Sequence, residues 1–153
     1  NGGKFLKSGG SFGLGSDSNV KISLTQELRT LEYSQRLRDL ERNIMSKEEG
    51  SVGESLYLGA AAGGAQALAR NSGSIEIGKL ADLVAINCDH HHFCNLTDHQ
   101  IFDGLCFVAD DDVITDVWSA GRHIVTGGRH KKREEIIKAY RYAISELKNH
   151  LTS

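Results

Sequence analysis

The sequence predicts an α/β fold in two parts: a strand with two helices, then a small β unit closed by a helix. Three observations support this fold class. An apolar run at 11–15 ends in glycine, as a short buried strand does. Apolar residues recur every three or four positions over 24–45, which indicates an amphipathic helix. Strand-like runs at 113–119 and 123–126 flank a tight turn at 120–121, which indicates a β-hairpin.

The first helix has a recognisable start. Ser23 is a good N-cap residue, and Gln26 stands three positions later as its capping-box partner. Within the predicted helix 24–45, Glu32 and Arg36 have the i, i+4 spacing of an ion pair, worth a few tenths of a kcal/mol on a helix surface. We therefore expect a helix that begins at residue 24 and carries its charges on the outer face.

A second helix is expected at 55–70, after a loop at 46–54. It is rich in small residues and contains Gly63 and Gly64 in its interior. Each glycine costs about 1 kcal/mol relative to alanine in a helix. Such a pair is tolerable only if another backbone packs closely against the helix.

The second part of the chain changes character. The run at 82–87 is almost continuously apolar and predicts a strand that is buried on both faces or nearly so. The acidic run at 110–112 is expected to be a solvated turn, with a metal-binding cluster as the alternative. Apolar residues at helical spacing predict a closing amphipathic helix over 134–151.

Composition excludes several classes of protein. Hydrophobic residues make up 39% and charged residues 25% of the 153 residues, which is typical of a folded globular chain and not of a disordered one. The net charge of −2 gives no reason to expect a nucleic-acid or anionic-membrane partner. No apolar run reaches the ~18 residues of a membrane helix. The three cysteines form no disulfide framework and indicate reduced thiols in a cytoplasmic protein.

The histidines and cysteines give no strong site. Residues 90–92 are consecutive histidines, with His99 close by. Because consecutive side chains point in different directions on a strand or a helix, three in a row are expected to converge poorly on one ion. A surface loop is therefore the preferred interpretation, with a metal site as the alternative. Cys106 lies in an apolar run, which favours a packed core thiol over a nucleophile.

Asp17 is the remaining candidate. It follows the predicted strand 11–15 in the stretch "FGLGSDSN". Aspartate is common in turns and helix caps, and local sequence alone favours that role. The alternative uses position, because residues at the carboxyl ends of parallel barrel strands build active sites. A carboxylate there can bind a metal and accept a proton from water. Both interpretations stay open at this point.

Longer stretches resemble a known family. The sequence is similar to the amidohydrolase superfamily after its eighth barrel strand, and more narrowly to the formimino-glutamate deiminases of histidine degradation. The stretches that carry the likeness are "GSDS" at 15–18, "QELRTLEYSQRLR" at 26–38, "AAAGGAQALAR" at 60–70, "IEIGKLADLVAIN" at 75–87 and "DVWSAGRHIVTGGRH" at 116–130. The stretch "LEYSQRLR" at 31–38 narrows the likeness to the deiminases. The match is weakest at 88–108, where the family often has Asp-His-Pro.

The resemblance implies a C-terminal fragment of a (β/α)8 amidohydrolase barrel with part of a small β-sandwich domain. Residues 1–73 would hold strand 8 and the following helices, 74–129 the C-terminal part of the composite sandwich, and 130–153 a C-terminal helix. The chain starts without methionine and reaches the predicted strand almost at once, which fits a piece of a longer protein. The metal-binding histidines and the substrate-binding residues are expected upstream of Asn1.

By the same resemblance, Asp17 is a catalytic residue and a ligand of one divalent metal, with Zn²⁺ as the expected ion. It would take the proton from the attacking water and pass it to the departing ammonia. Ser18 and Asn19 would support it from the flanking turn. The implied reaction hydrolyses N-formimino-L-glutamate to N-formyl-L-glutamate and ammonia.

Two alternatives remain. One is another amidohydrolase, either nucleobase deaminase-like or imidazolonepropionase-like. The other is a non-catalytic binding domain, since 153 residues suffice to fold alone. The implied partners are a small-molecule substrate, the remainder of the barrel and a second copy in a homodimer. The isolated chain is expected to be inactive.

Overall fold

The computed structural model describes residues 1–46 and 50–152, and residues 47–49 of the predicted loop lie outside these ranges. The described chain contains the helices α1 (Gly2–Lys7), α2 (Leu24–Asp39), α3 (Val52–Ala67), α4 (His99–Phe107) and α5 (Arg133–Thr152). It contains the strands β1 (Leu83–Ile86), β2 (Ile114–Ser119), β3 (Arg122–Thr126) and β4 (Arg129–His130). Single 3-10 turns span His91–Phe93 and Asp111–Val113.

The first residues differ from the expectation. The short helix α1 precedes the segment 11–15, with the Asn1 side chain accepting a hydrogen bond from the backbone of Lys4 at its N-terminus. The predicted strand at 11–15 is wrong, because this segment has no strand conformation. A parallel strand exists through hydrogen bonds to neighbouring strands. The four described strands, β1 to β4, pair only with one another, so the segment 11–15 has no strand beside it. It packs against helix α3, where Phe12 meets Gly63.

Helix α2 starts as predicted and ends early. Ser23 is its N-cap and accepts a hydrogen bond from the Gln26 backbone. The helix ends at Asp39, not at residue 45, because Leu40 takes a left-handed conformation with φ of 55°. The chain then turns back to Glu32, which is fully buried. This fold-back replaces the last turns of the predicted helix.

The Glu32 carboxylate explains the fold-back. It accepts hydrogen bonds from the backbone N–H groups of Ile44 at 3.2 Å and Met45 at 2.9 Å. It also forms the predicted ion pair with Arg36, at 2.6 Å between Oε1 and Nε. A buried carboxylate is stable only when its oxygens are hydrogen-bonded, and these three donors meet that need. Glu32 therefore belongs to the interior and not to the solvated outer face.

Two glycines in helix α3 allow the backbone of neighbouring segments to pack closely against it. A Cβ on Gly63 would overlap the carbonyl oxygen of Phe12 and lie 2.5 Å from the carbonyl carbon. At the other end of the helix, a Cβ on Gly53 would lie 2.5 Å from the Phe102 carbonyl carbon in α4. The prediction that a backbone packs against this helix is confirmed at Gly63. Gly64 has no heavy atom within 4 Å of the position of a Cβ.

The four strands form an antiparallel sheet in the order β1-β2-β3-β4. The β2–β3 hairpin is confirmed within a residue, and its turn residues Ala120 and Gly121 both have positive φ, as a tight two-residue hairpin requires. Strand β1 is confirmed in position but not in burial. Val84 is 48% exposed, so this strand is not buried on both faces in the described chain.

Helix α4 was not predicted from the sequence, and it joins the two hydrophobic clusters. Cys106 lies in the cluster built on α2 and α3, while Leu105 lies in the cluster around Phe93 and Val113. The Arg29 guanidinium donates hydrogen bonds to the carbonyl oxygens of residues 106 and 109, at 2.9 and 3.1 Å, where α4 ends. A cation at a helix C-terminus satisfies carbonyls that the helix itself leaves unpaired.

The closing helix is confirmed, as α5 spans the predicted 134–151 with one more residue at each end. Its predicted apolar stripe is largely exposed, including Ile136, Tyr140, Ile144, Leu147 and Leu151. None of the helices in the described ranges is long and apolar enough to span a membrane.

Candidate functional site

Asp17 lies in a tight turn that follows the segment packed on α3. The turn is closed by a hydrogen bond of 2.8 Å from the backbone N–H of Asn19 to the carbonyl oxygen of Ser16. Asp17 has a φ of 43°, in the left-handed region where aspartate is one of the few side chains found regularly. Its side chain, and those of Ser18 and Asn19, are exposed. The structure therefore bears out the turn conformation that local sequence favours, and the carboxylate is accessible.

The turn is attached to helix α2 through Asn19. The Asn19 side-chain amide donates a hydrogen bond to the carboxylate of Glu27, in the first turn of the helix. Ser23 caps the same helix end. These contacts fix the turn relative to the N-terminus of α2. Glu27 was not singled out from the sequence, because its partner is known only once the turn folds back onto the helix.

The segment that leads into the turn is held from the other side by α3. The Phe12 side chain packs against the cluster of Leu28 and Leu56. A Cβ on Gly59 would lie 2.9 Å from the Phe12 ring, and Gly63 admits the Phe12 backbone as described above. Position 17 is thus fixed by the packing of residue 12 on α3 and by the contact of residue 19 with α2.

Asp17 offers one ligand to a metal ion. Its carboxylate oxygens are of a type that Zn²⁺ and other divalent ions accept. Among the described residues, the group of three His, Cys, Asp or Glu side chains that could hold one ion is His90–His92, which does not include Asp17. Asp17 fits one position of a divalent-metal site, and a complete site requires further ligands.

The three consecutive histidines lie closer together than expected. Their ring centroids are 4.2 Å apart between His90 and His91, 4.6 Å between His90 and His92, and 4.1 Å between His91 and His92. One potential ligand atom from each lies within 4.8 Å of the others. The expectation of poor convergence is therefore wrong, because the 3-10 turn at His91–Phe93 is neither strand nor α-helix. His99 stands apart and pairs with Glu54 at 2.8 Å.

Cys106 is the packed core thiol that the sequence indicated. Cys106 is fully buried, and this burial raises the pKa of its thiol to about 12. The Cys106 Sγ atom lies 3.7 Å from the carbonyl oxygen of Gly53 and donates a weak hydrogen bond to it. A thiol with so high a pKa is a packing residue and not a nucleophile. Cys88 and Cys94 are free and exposed.

Comparison with known proteins identifies the family to which this chain belongs. The sequence profile of the amidohydrolase family matches residues 3–124, and the chain belongs to that family. Among curated proteins, formimidoylglutamate deiminase from Pseudomonas aeruginosa is 39% identical over 144 residues. That alignment covers 94% of this chain and 32% of the relative, so the chain spans about a third of the relative's length.

Solved structures that resemble this chain include another member of the same family. An amidohydrolase from Brucella melitensis is 39% identical and superposes with a TM-score of 0.87 over 96% of this chain and 32% of its own. Atrazine chlorohydrolase TrzN from Arthrobacter aurescens, complexed with zinc, is 25% identical with a TM-score of 0.72, over 92% of this chain and 31% of its own. A zinc-bound adenosine deaminase from Xanthomonas campestris has a TM-score of 0.80 at 21% identity, covering 96% and 33%, and shows the shared fold alone.

Proposed function

We propose that this chain is the C-terminal part of a metal-dependent deiminase that hydrolyses N-formimino-L-glutamate to N-formyl-L-glutamate and ammonia. The observation that carries the proposal is the 39% identity to a formimidoylglutamate deiminase over 94% of this chain. Residues 1–73 would close the (β/α)8 barrel, 74–129 would complete a β-sandwich, and 130–153 would form the terminal helix.

Asp17 is the proposed catalytic residue of this chain and one ligand of a divalent metal. Zn²⁺ is the candidate ion, since the zinc complexes of TrzN and the Xanthomonas adenosine deaminase come from similar folds. A bound Zn²⁺ would lower the pKa of water toward about 7 and polarise the bond under attack. The exposed Asp17 carboxylate suits a group that must meet substrate, and Ser18 and Asn19 support it from the turn.

The reaction requires a group that moves a proton. Water adds to the formimino carbon, the bond from that carbon to the terminal nitrogen breaks, and ammonia leaves. An Asp17 oxygen would accept the proton of the water and then release it to the departing nitrogen, as general acid–base catalysis requires. The hydrogen bond from Asn19 to Glu27 holds the turn in position for both transfers.

The proposed partners follow from the same assignment. They are a small-molecule substrate, the preceding part of the same enzyme and a second copy in a homodimer. The exposed apolar stripe of α5 and the unpaired segment at 11–15 are surfaces that a larger structure would cover. The chain on its own is expected to be inactive, because the other metal ligands and the substrate-binding residues would lie upstream of Asn1. The reduced cysteines support a cytoplasmic location.

Ammonia release from the enzyme that contains this chain tests the proposal. We expect release from N-formimino-L-glutamate and none from cytosine or guanine. Ring opening of imidazolonepropionate releases no ammonia, so consumption of this compound is measured separately, and none is expected. Asp17→Asn should lower turnover about 10²- to 10⁴-fold, as loss of a general base does. Asp111→Asn, an exposed carboxylate on the other part of the chain, is the matched control and should keep full turnover.

Each alternative has its own outcome in this assay. Ammonia release from a nucleobase alone would show that the substrate is a nucleobase and not N-formimino-L-glutamate. It would not contradict the family assignment. Consumption of imidazolonepropionate alone, without ammonia release, would likewise identify a different substrate within the same family. No turnover of any substrate, with metal present, would favour a non-catalytic binding domain. Full turnover of Asp17→Asn would remove Asp17 from the mechanism.

A further inference from the structure

The three histidines at 90–92 are held in one place by the fold. Strand β1 ends at Ile86, and the backbone N–H of Asn87 donates a 2.8 Å hydrogen bond to the carbonyl oxygen of Val113. Phe93 follows the histidines and is 2% exposed, packed in the cluster with Val113. The histidine turn is therefore tied at both ends to the region where β2 begins. The clustered rings thus lie on a turn whose backbone is held on both sides.

One ring of the cluster has a buried nitrogen atom available to a ligand, and a second ring nitrogen is only weakly engaged. The Nδ1 atom of His92 is buried and, within the described residues, has no hydrogen-bond partner. A buried polar atom without a partner is uncommon and costs about 1–3 kcal/mol. The Nδ1 atom of His90 accepts a hydrogen bond of 3.4 Å from the His92 backbone, at the long limit of such bonds. A metal ion that accepts the lone pair of His92 Nδ1 would relieve this deficit.

The opposite side of the His90 ring faces a carboxylate. Its Nε2 atom lies 3.7 Å from Oδ2 of Asp112, in the 3-10 turn before β2. Histidines that bind metals are commonly oriented by a carboxylate near the second ring nitrogen. Asp110 is paired with Lys21 at 3.6 Å, whereas Asp112 supplies negative charge beside the His90 ring. The surroundings thus favour a positive ligand.

We propose that His90, His91 and His92 bind a divalent transition-metal ion, with Zn²⁺ as the test ion, at a site that does not include Asp17. Imidazole nitrogens suit zinc, copper and nickel, whereas carboxylate-rich sites suit magnesium and calcium. Asp112, in the 3-10 turn before β2, orients the His90 ring for the ion. Binding to the folded state alone then raises the stability of the enzyme as free metal rises.

The experiment uses the full enzyme that contains this chain, with ZnCl₂ as the probe. Bound zinc per chain is measured by equilibrium dialysis and elemental analysis, at matched free zinc. His91→Ala removes an exposed ring and should lower bound zinc by one equivalent, without changing the melting temperature of the metal-free enzyme. Asp112→Asn should weaken that equivalent about tenfold, as loss of an orienting partner does.

Two controls separate this site from other sites. His99→Ala removes an exposed histidine outside the cluster, one that pairs with Glu54, and it should leave the zinc content unchanged. Asp17→Asn combined with His91→Ala should bind one equivalent of zinc less than Asp17→Asn alone, whether or not the proposed deiminase activity is present. The inference is overturned if wild type and His91→Ala bind equal zinc, if His99→Ala loses the same equivalent, or if the double variant binds as much zinc as Asp17→Asn alone.

Discussion

Two adjacent glycines in α3 provide a matched pair of substitutions. At Gly63, an added Cβ would overlap the carbonyl oxygen of Phe12 and lie 2.5 Å from the carbonyl carbon, so backbone would have to move. At Gly64, the same Cβ would meet no heavy atom within 4 Å. Gly63→Ala and Gly64→Ala therefore differ in steric contact and share the change in helix propensity.

The expected magnitudes follow from these two terms. Alanine is better than glycine in a helix interior by about 1 kcal/mol, and both variants gain this. Overpacking against backbone costs about 1–3 kcal/mol, and Gly63→Ala alone incurs it. We expect Gly64→Ala to stabilise by about 1 kcal/mol and Gly63→Ala to destabilise by up to about 2 kcal/mol. The difference between the variants, about 1–3 kcal/mol, is the steric term itself.

Urea unfolding of the enzyme containing this chain, followed by circular dichroism, measures the difference. Turnover is the second readout, because Phe12 leads into the turn that carries Asp17. A displacement of about 1 Å at a catalytic group can lower turnover about 10²-fold. Gly63→Ala should therefore lose turnover while Gly64→Ala keeps it. Equal shifts of the unfolding midpoint in the two variants would refute the close approach of Phe12 to α3.

Two further predictions concern buried groups. Glu32→Gln should destabilise the enzyme by about 1–3 kcal/mol and speed hydrogen exchange at the Met45 amide. The reason is that a single side-chain amide oxygen cannot accept all the hydrogen bonds that the two carboxylate oxygens accept. Unchanged exchange at Met45 would contradict this. Iodoacetamide at mildly alkaline pH should label Cys88 and Cys94 but not Cys106, whose thiol pKa is raised to about 12. The pKa of that thiol in the folded state exceeds its ordinary value of 9.0. The contribution of the protonated thiol to folding stability is therefore complete below pH 9.0 and is lost as pH rises toward about 12. Cys106→Ala should remove this part of the alkaline loss of stability in urea unfolding, and an unchanged alkaline slope would count against it.

Elements with strong local signals were predicted well. The hairpin of β2 and β3 is specified by alternating strand-formers around Ala120 and Gly121, and nothing distant is needed to define it. Helix α5 carries its apolar stripe over several turns, so its ends were predicted within one residue. The N-cap at Ser23 is equally local. In each case the interacting residues are close in sequence.

Elements that depend on distant contacts were not predicted. The apolar spacing of α2 continues past Leu40, but the helix ends there because the Glu32 carboxylate captures the amides of Ile44 and Met45. Helix α4 has only nine residues, contains Gly104 and begins at Asp98 without a side-chain cap, so its local signal is weak. Its position depends on packing against α3, which no local pattern contains.

For the candidate site, the sequence by itself determined which family the chain resembles, and through that resemblance it selected Asp17 as the proposed catalytic residue. Asp17 was selected from its place after an apolar run and from the motifs that follow. Only the tertiary structure decided how that residue is held, through the contact of Phe12 with Gly63 and of Asn19 with Glu27. It also decided that three consecutive histidines form a cluster. Side-chain positions depend on contacts between residues far apart in the chain, and sequence spacing describes only neighbours.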